Sequence, residues 1–225
     1  MEIATAAAYR GDLPERPPRM ARLPLDARGF PVPWFVAWFD GVPDFRVVRE
    51  GGVPLAHNKG LCWLCGEPRG VYGAFVIGPM CGINRVSSEP PSHRECAEYA
   101  VRACPFLTRP MATRNERGLD ALGAVEPAGD MIKRNPGVTL LWVTKSYRPF
   151  RVENGALFRI GDPTEVAFFA KGRQATRAEI DASVSSGIHL LEEPARAQGR
   201  DAERELARLR AQFDKIVDTA VMEPA

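Results

Sequence analysis

The apolar positions along the chain fall into patterns of different period. Val138-Thr-Leu-Leu-Trp-Val143 is a nearly unbroken apolar run and predicts a strand buried on both faces. Aromatic and β-branched residues in Trp34–Phe39 and Asp44–Val48 flank Asp40-Gly41, and Tyr147–Val152 and Ala156–Ile160 flank Asn154-Gly155. Asp-Gly and Asn-Gly tolerate the backbone of tight hairpin turns, so both segments read as β-hairpins. Val71–Ile77 is a further strand-like run and ends at Gly78-Pro79. Trp34, Phe35, Trp38 and Phe39 read as core aromatics in preference to an exposed binding platform.

Helical spacing is clearest near the end of the chain. From about Gly199 to Ala220, the residues Ala202, Leu206, Leu209, Phe213, Ile216 and Ala220 recur at steps of four and three, with Arg, Asp and Glu between them. That is an amphipathic helix with an a/d seam. It is expected to pack back onto its own domain in preference to forming a homodimer. Thr176-Arg-Ala-Glu179 is a capping box that starts another helix, with Gly187 placed to end it. By the same logic Asp162-Pro163-Thr164-Glu165 predicts a short helix, and Ser92-His93-Arg94-Glu95 predicts a helix beginning at His93. His189, between Ile188 and Leu190, reads as a structural histidine.

These elements predict an α+β fold divided as follows: a Pro/Arg-rich arm or strap over 1–33, a β-hairpin over 34–56, a cysteine-rich module over 57–110, a Pro/Gly-rich loop or linker over 111–137, an α+β part over 138–192 and a C-terminal helix over 193–225. The 225 residues are 45% hydrophobic and 26% charged, with a net charge of +2. A chain of this size buries a sizeable core, and so small a net charge supplies no field that would by itself call for nucleic acid or an anionic membrane. No apolar run approaches the roughly 20 residues of a membrane span, and Met1 to Tyr9 lacks the basic-then-apolar pattern of a signal peptide. A cytoplasmic protein with no membrane partner is expected.

The five cysteines change this picture most. All lie between Cys62 and Cys104. An odd number clustered around Cys62-x-x-Cys65 points to metal and a reducing compartment, not to a disulfide framework. Gly66 lets a tight turn aim both thiolates at one point. Downstream, His93 and Cys96 are three apart and share one face at the start of a helix, where the dipole favours a thiolate. Three sulfurs and one imidazole form the tetrahedral set that zinc prefers, and thiolates disfavour magnesium and calcium. With four protein ligands no coordination position is left open, so one structural Zn2+ is expected. Cys81 and His57 remain alternative ligands, and Cys104 reads as a small buried hydrophobe.

A knuckle, a β-hairpin and a helix carrying two ligands in its first turn resemble the treble-clef zinc finger, over roughly Gly60 to Leu107. Further segments are similar to a family of uncharacterised bacterial and phage zinc-binding proteins: Cys62-Trp-Leu-Cys65-Gly66, Ala74-Phe-Val-Ile-Gly-Pro-Met-Cys81, Glu89-Pro-Pro-Ser-His-Arg-Glu-Cys96, Ala103-Cys104-Pro-Phe-Leu107 and Arg134-Asn-Pro-Gly137. That resemblance runs from about Gly29 to Leu191. It implies a zinc module and a phage or mobile-element origin, and no reaction.

The segment from Cys81 to Ser92 is the other candidate for chemistry. It reads as a loop whose ends zinc would hold, and Cys81, Asn84, Arg85 and Glu89 could bind a ligand. The nuclease branch of treble clefs needs a histidine on the hairpin, and Val71 to Pro79 contains none. Phosphate-loop, serine-hydrolase and zinc-protease motifs are also missing from the sequence. The expected function is therefore a zinc-stabilised accessory protein that binds a macromolecule, protein or nucleic acid. An enzyme using Cys81 with Arg85 and Glu89 is one alternative, and nucleic-acid binding through Arg69, Arg85, Arg94 and Arg102 is another.

Overall fold

The computed structural model describes residues 8–124, 127–129 and 132–222. Positions 1–7, 125–126, 130–131 and 223–225, which belong to the expected arm, loop and C-terminal segments, lie outside that description.

At the first hairpin, Asp40 and Gly41 both take positive φ, 48° and 79°. They join β1 (Val36–Phe39) to its antiparallel partner β2 (Val42–Val48). A helix absent from the sequence reading, α1 (Gly52–Lys59), follows at once and ends at a left-handed Gly60. Next come β3 (Gly73–Ile77), α2 (Pro79–Asn84), the two-residue β4 (Val86–Ser87) and α3 (Arg94–Ala103). A long crossing then leads to β5 (Thr139–Thr144), β6 (Tyr147–Val152) and β7 (Gly155–Ile160). After β8 (Pro163–Ala170) and the short β9 (Arg173–Gln174), the chain closes with α4 (Arg177–Gly187), α5 (His189–Gln198) and α6 (Arg200–Met222).

The central sheet is antiparallel, in the order β3-β5-β8-β9, and a second sheet runs β4-β7-β6. Strand periodicity divides the core in two. Phe75 and Ile77 of β3, Leu140 and Trp142 of β5, and Phe168 and Ala170 of β8 point to one side, where they meet Ile83 of α2, Ile180 and Val184 of α4, and Phe213 of α6. Their neighbours Ala74, Leu141, Val143 and Phe169 point to the other side and meet Ala97 and Val101 of α3. The central sheet is thus buried on both faces, which explains the unbroken apolar run of β5. Its second face seats the helix that carries His93 and Cys96.

The α6 seam is used inside the molecule. Leu206, Leu209, Ile216 and Ala220 pack against the main core, and Phe213 and Val217 are part of it. The fit is close at Gly82 of α2, where an added Cβ would stand 2.8 Å from the Phe213 ring and 3.0 Å from Leu140.

Several expectations are corrected. Asp162–Glu165 does not start a helix: Pro163–Ala170 is β8, because Val166-Ala-Phe-Phe-Ala170 alternates between the two cores and pairs along β5. Its would-be capping residues are engaged elsewhere, Asp162 with Arg85 and Glu165 with Arg94. The segment from Cys81 to Ser92 is not a plain loop, since α2 and β4 lie within it. Of the two readings of the first segment, its described residues follow the strap: Met20 and Leu23 pack with Leu64 and Tyr99 over the cysteine cluster, and Trp34 N–H donates to Leu64 O at 2.8 Å. Within the expected loop, the described residues are tied to the same body by a Thr113–Arg134 bridge and by the fully buried Asn135. Asn135 Nδ2 donates to the carbonyls of Phe106, Leu107 and Arg109, and its Oδ1 accepts from Gly137 N–H. His189 is exposed at the start of α5 and has no core role. Among the described residues no helix is long and apolar enough to cross a membrane.

Candidate metal centre

The knuckle is a short, tightly bonded turn. Leu61 and Pro68 form a bridge, Cys62 N–H donates to Glu67 O at 2.8 Å, and Gly66 N–H donates back to Cys62 O at 2.9 Å. Gly66 sits at φ 76°, and a Cβ there would stand 2.4 Å from Trp34 Cδ1. Two constraints therefore select glycine at this position, the left-handed backbone and the strap residue pressed against it.

The second pair of ligands comes from the start of α3, by a route different from the expected one. His93, not Ser92, is the N-cap residue, and no side chain caps the helix. Ser92 has both backbone groups engaged with Ala74, at 2.8 and 2.9 Å, and Glu95 pairs with Arg19 of the strap. The Ala74–Ser92 bridge is what stands in place of the hairpin between knuckle and helix. Cys62 Sγ takes over the capping role by accepting the His93 N–H at 3.3 Å.

The structure brings Cys62, Cys65, His93 and Cys96 together. All four are buried, and their ligand atoms lie within 4.8 Å of one another. A tetrahedron with 2.3 Å zinc–sulfur arms has edges of about 3.8 Å, so a small inward movement of the side chains would close the set on one ion. The histidine is already oriented for that. Its Nε2 lies 3.1 Å from Pro68 O, and a carbonyl can only accept, so the ring proton sits on Nε2. Nδ1 then presents its lone pair to the cluster, 3.4 Å from Cys65 Sγ and 3.9 Å from Cys96 Sγ. This hydrogen bond to the non-ligating nitrogen is the usual support of a metal-bound imidazole.

Three buried thiols cannot all ionise unaided. Hydrogen bonds from Cys65 and Cys96 hold Cys62 far below the ordinary thiol range, while those same bonds to Cys62 push Cys65 up and Cys96 higher still. The three sulfurs thus oppose one another's ionisation, and a divalent cation held among them would let all three become thiolates. A metal ion such as zinc fits this donor set.

No family model, no curated protein and no solved structure matches the chain. What the structure supports of the expected resemblances is the Cys3His cluster itself.

The other candidate residues form no further group of possible metal donors among the described residues. Cys81 lies in α2, where burial pushes its thiol up to about 11, with a smaller push from Glu89. Asn84 Oδ1 accepts from Val86 N–H. Arg85 pairs with Asp162 at 3.1 Å and lies over Trp142. His57 is not a ligand. It packs on Phe158, and its Nδ1 is 3.3 Å from Tyr147 Oη, which also accepts from Arg69 at 3.1 Å. Cys104 caps the end of α3, and burial pushes its pKa up. Arg94 and Arg102 both pair with Glu98, so with Arg69 and Arg85 the proposed nucleic-acid arginines are all engaged within the fold.

The aromatic run beginning at Trp34 is core only in part, at Phe35, which packs against the hydrophobic cluster around the cysteines. None of its four aromatics is fully buried, and Trp38 is 45% exposed. Phe35 stacks on Trp63 at 4.9 Å, inside the knuckle, while Trp34, Trp38 and Phe39 line a cleft of about 1860 Å³ beside the metal centre. Sequence reading missed Trp63 as a cleft residue, although its place between two ligand cysteines marked it as fixed in position.

Proposed function

We propose that this chain is a zinc-stabilised accessory protein that binds another macromolecule, with one structural Zn2+ held by Cys62, Cys65, His93 and Cys96. The observation that carries this reading is the closed cluster: four buried donors, two from a knuckle and two from a helix start, covered by the strap through Met20, Leu23 and Arg19. Four protein donors saturate a tetrahedral ion, which leaves no position for substrate or water, so the ion joins chain segments and performs no reaction. Sulfur-rich ligation favours zinc over hard cations and suits a reducing compartment such as the cytoplasm.

An enzyme built on Cys81 finds little support. Its thiol is held protonated at neutral pH, and Arg85 is committed to Asp162 and Trp142. To test the binding reading, zinc-loaded and chelator-treated protein would serve as parallel baits in host lysate. A defined set of partners retained only by the zinc-loaded, folded bait is expected. Equal recovery by a zinc-free bait shown to be unfolded would overturn the reading.

A further inference from the structure

Among the described residues, one buried side-chain polar atom lacks a hydrogen bond. Trp63, 2% exposed, lines the cleft with its indole Nε1–H unpartnered. Native interiors rarely leave such a donor unmet, so it marks a place where an acceptor is missing. Glu89 lines the same wall, and its carboxylate forms no ion pair among the described residues. Desolvation raises the Glu89 pKa, and the nearby Trp63 indole offsets part of that rise without reaching hydrogen-bond geometry. A donor beside an acceptor on one wall complements one residue of an extended chain, whose C=O accepts and whose N–H donates on the same side.

The strands around the cleft point the same way. All four residues of β1 line it, and so do the consecutive residues Pro149, Phe150 and Arg151 of β6. A sheet face presents alternate residues, so consecutive lining residues mean that the cleft meets these strands at their edges. β1 is paired on one side only, by β2, and β6 is the terminal strand of its sheet. Such edges offer unpaired backbone groups to a further strand. The cleft, at about 1860 Å³, is also larger than the roughly 300–1,000 Å³ of small-molecule sites. Its charged lining is balanced, Arg49 and Arg151 against Glu50 and Glu89, and the rest is largely apolar.

We infer that this cleft binds an extended, near-neutral peptide segment of a partner protein, with the backbone C=O and N–H of one peptide residue meeting Trp63 Nε1 and Glu89. The inference rests on the macromolecule-binding reading above and names its contact surface. The peptide supplies a carbonyl for the indole, an N–H for the carboxylate and main-chain groups for the open strand edges.

The test uses a phage-displayed random dodecapeptide library selected on the full, zinc-loaded chain. Selected peptides are synthesised and titrated by fluorescence polarisation against wild type, Trp63→Phe, Glu89→Ala and a surface control, Arg204→Ala. Trp63→Phe keeps the ring stack on Phe35 and removes only the indole donor; Glu89→Ala removes the carboxylate acceptor. Circular dichroism and zinc content establish that each variant is folded. Binding about tenfold weaker in both cleft variants, and unchanged in the control, is expected for the loss of one hydrogen bond to the peptide. A library that yields no binder, or peptides that bind both cleft variants as tightly as wild type, would overturn the inference. Lysate partners retained by both cleft variants would also overturn it while leaving the macromolecule-binding reading intact. Lysate capture that is equal with and without zinc would sink that reading instead.

Discussion

Cys62 shows how much one side chain does here. Its sulfur accepts the backbone N–H groups of Cys65 and His93 and the hydrogen bonds of two further thiols, which makes it the electrostatic centre of the cluster. Cys81 is the contrasting case, a thiol that burial keeps protonated. Its ordinary value of 9.0 rises to about 11 in the fold. The sign follows: the folded state favours the protonated form, so the contribution to stability is complete below pH 9 and is lost as pH climbs through about 11. In zinc-loaded protein, peptide mapping by mass spectrometry should find Cys81 resistant to iodoacetamide at neutral pH. Labelling should quicken about tenfold per pH unit toward the thiol's pKa, as thiolate becomes available. Rapid labelling at neutral pH would contradict this placement.

At the scale of elements, α6 is part of the core. Its seam fills the groove over α2 and β8, and Phe213 is 1% exposed and edge-on to Phe168 at 6.1 Å. Phe213→Ala should therefore cost about 4 kcal/mol in urea unfolding, whereas a helix held out for dimerisation would lose almost nothing. The seam was legible from its spacing alone, as were β5, both hairpins and the Thr176 capping box, because local pattern and burial agree there. Where tertiary contacts outweighed local chemistry, the sequence misled. Asp162-Pro-Thr-Glu165 has the chemistry of a helix start, yet its acids reach Arg85 and Arg94 and its apolar run joins a sheet. Ser92 has the chemistry of a cap, yet its backbone is taken by Ala74. The four donors of the metal cluster were readable because ligand chemistry restricts residue type and spacing together. Trp63, Asn135 and the His57–Tyr147–Arg69 contacts were not, since each depends on partners distant in the chain.

For the whole molecule, the metal cluster is a joint among three parts. The knuckle meets the strap through Arg19 and Arg22, α3 lies across the central sheet, and β3 runs from the knuckle into that sheet. Structural zinc binding is worth on the order of 10 kcal/mol, similar to the full stability of a domain. Without the ion, the three thiols and the imidazole would be buried polar groups that oppose one another's ionisation, and the joint should loosen first. The most direct test is elemental mass spectrometry on the purified chain and its Cys96→Ser variant, with circular dichroism recorded on the same samples. One zinc per chain in the wild type, with loss of both zinc and the cooperative thermal transition in the variant, is the predicted result. A wild-type chain that carries no metal and still unfolds cooperatively would contradict the account.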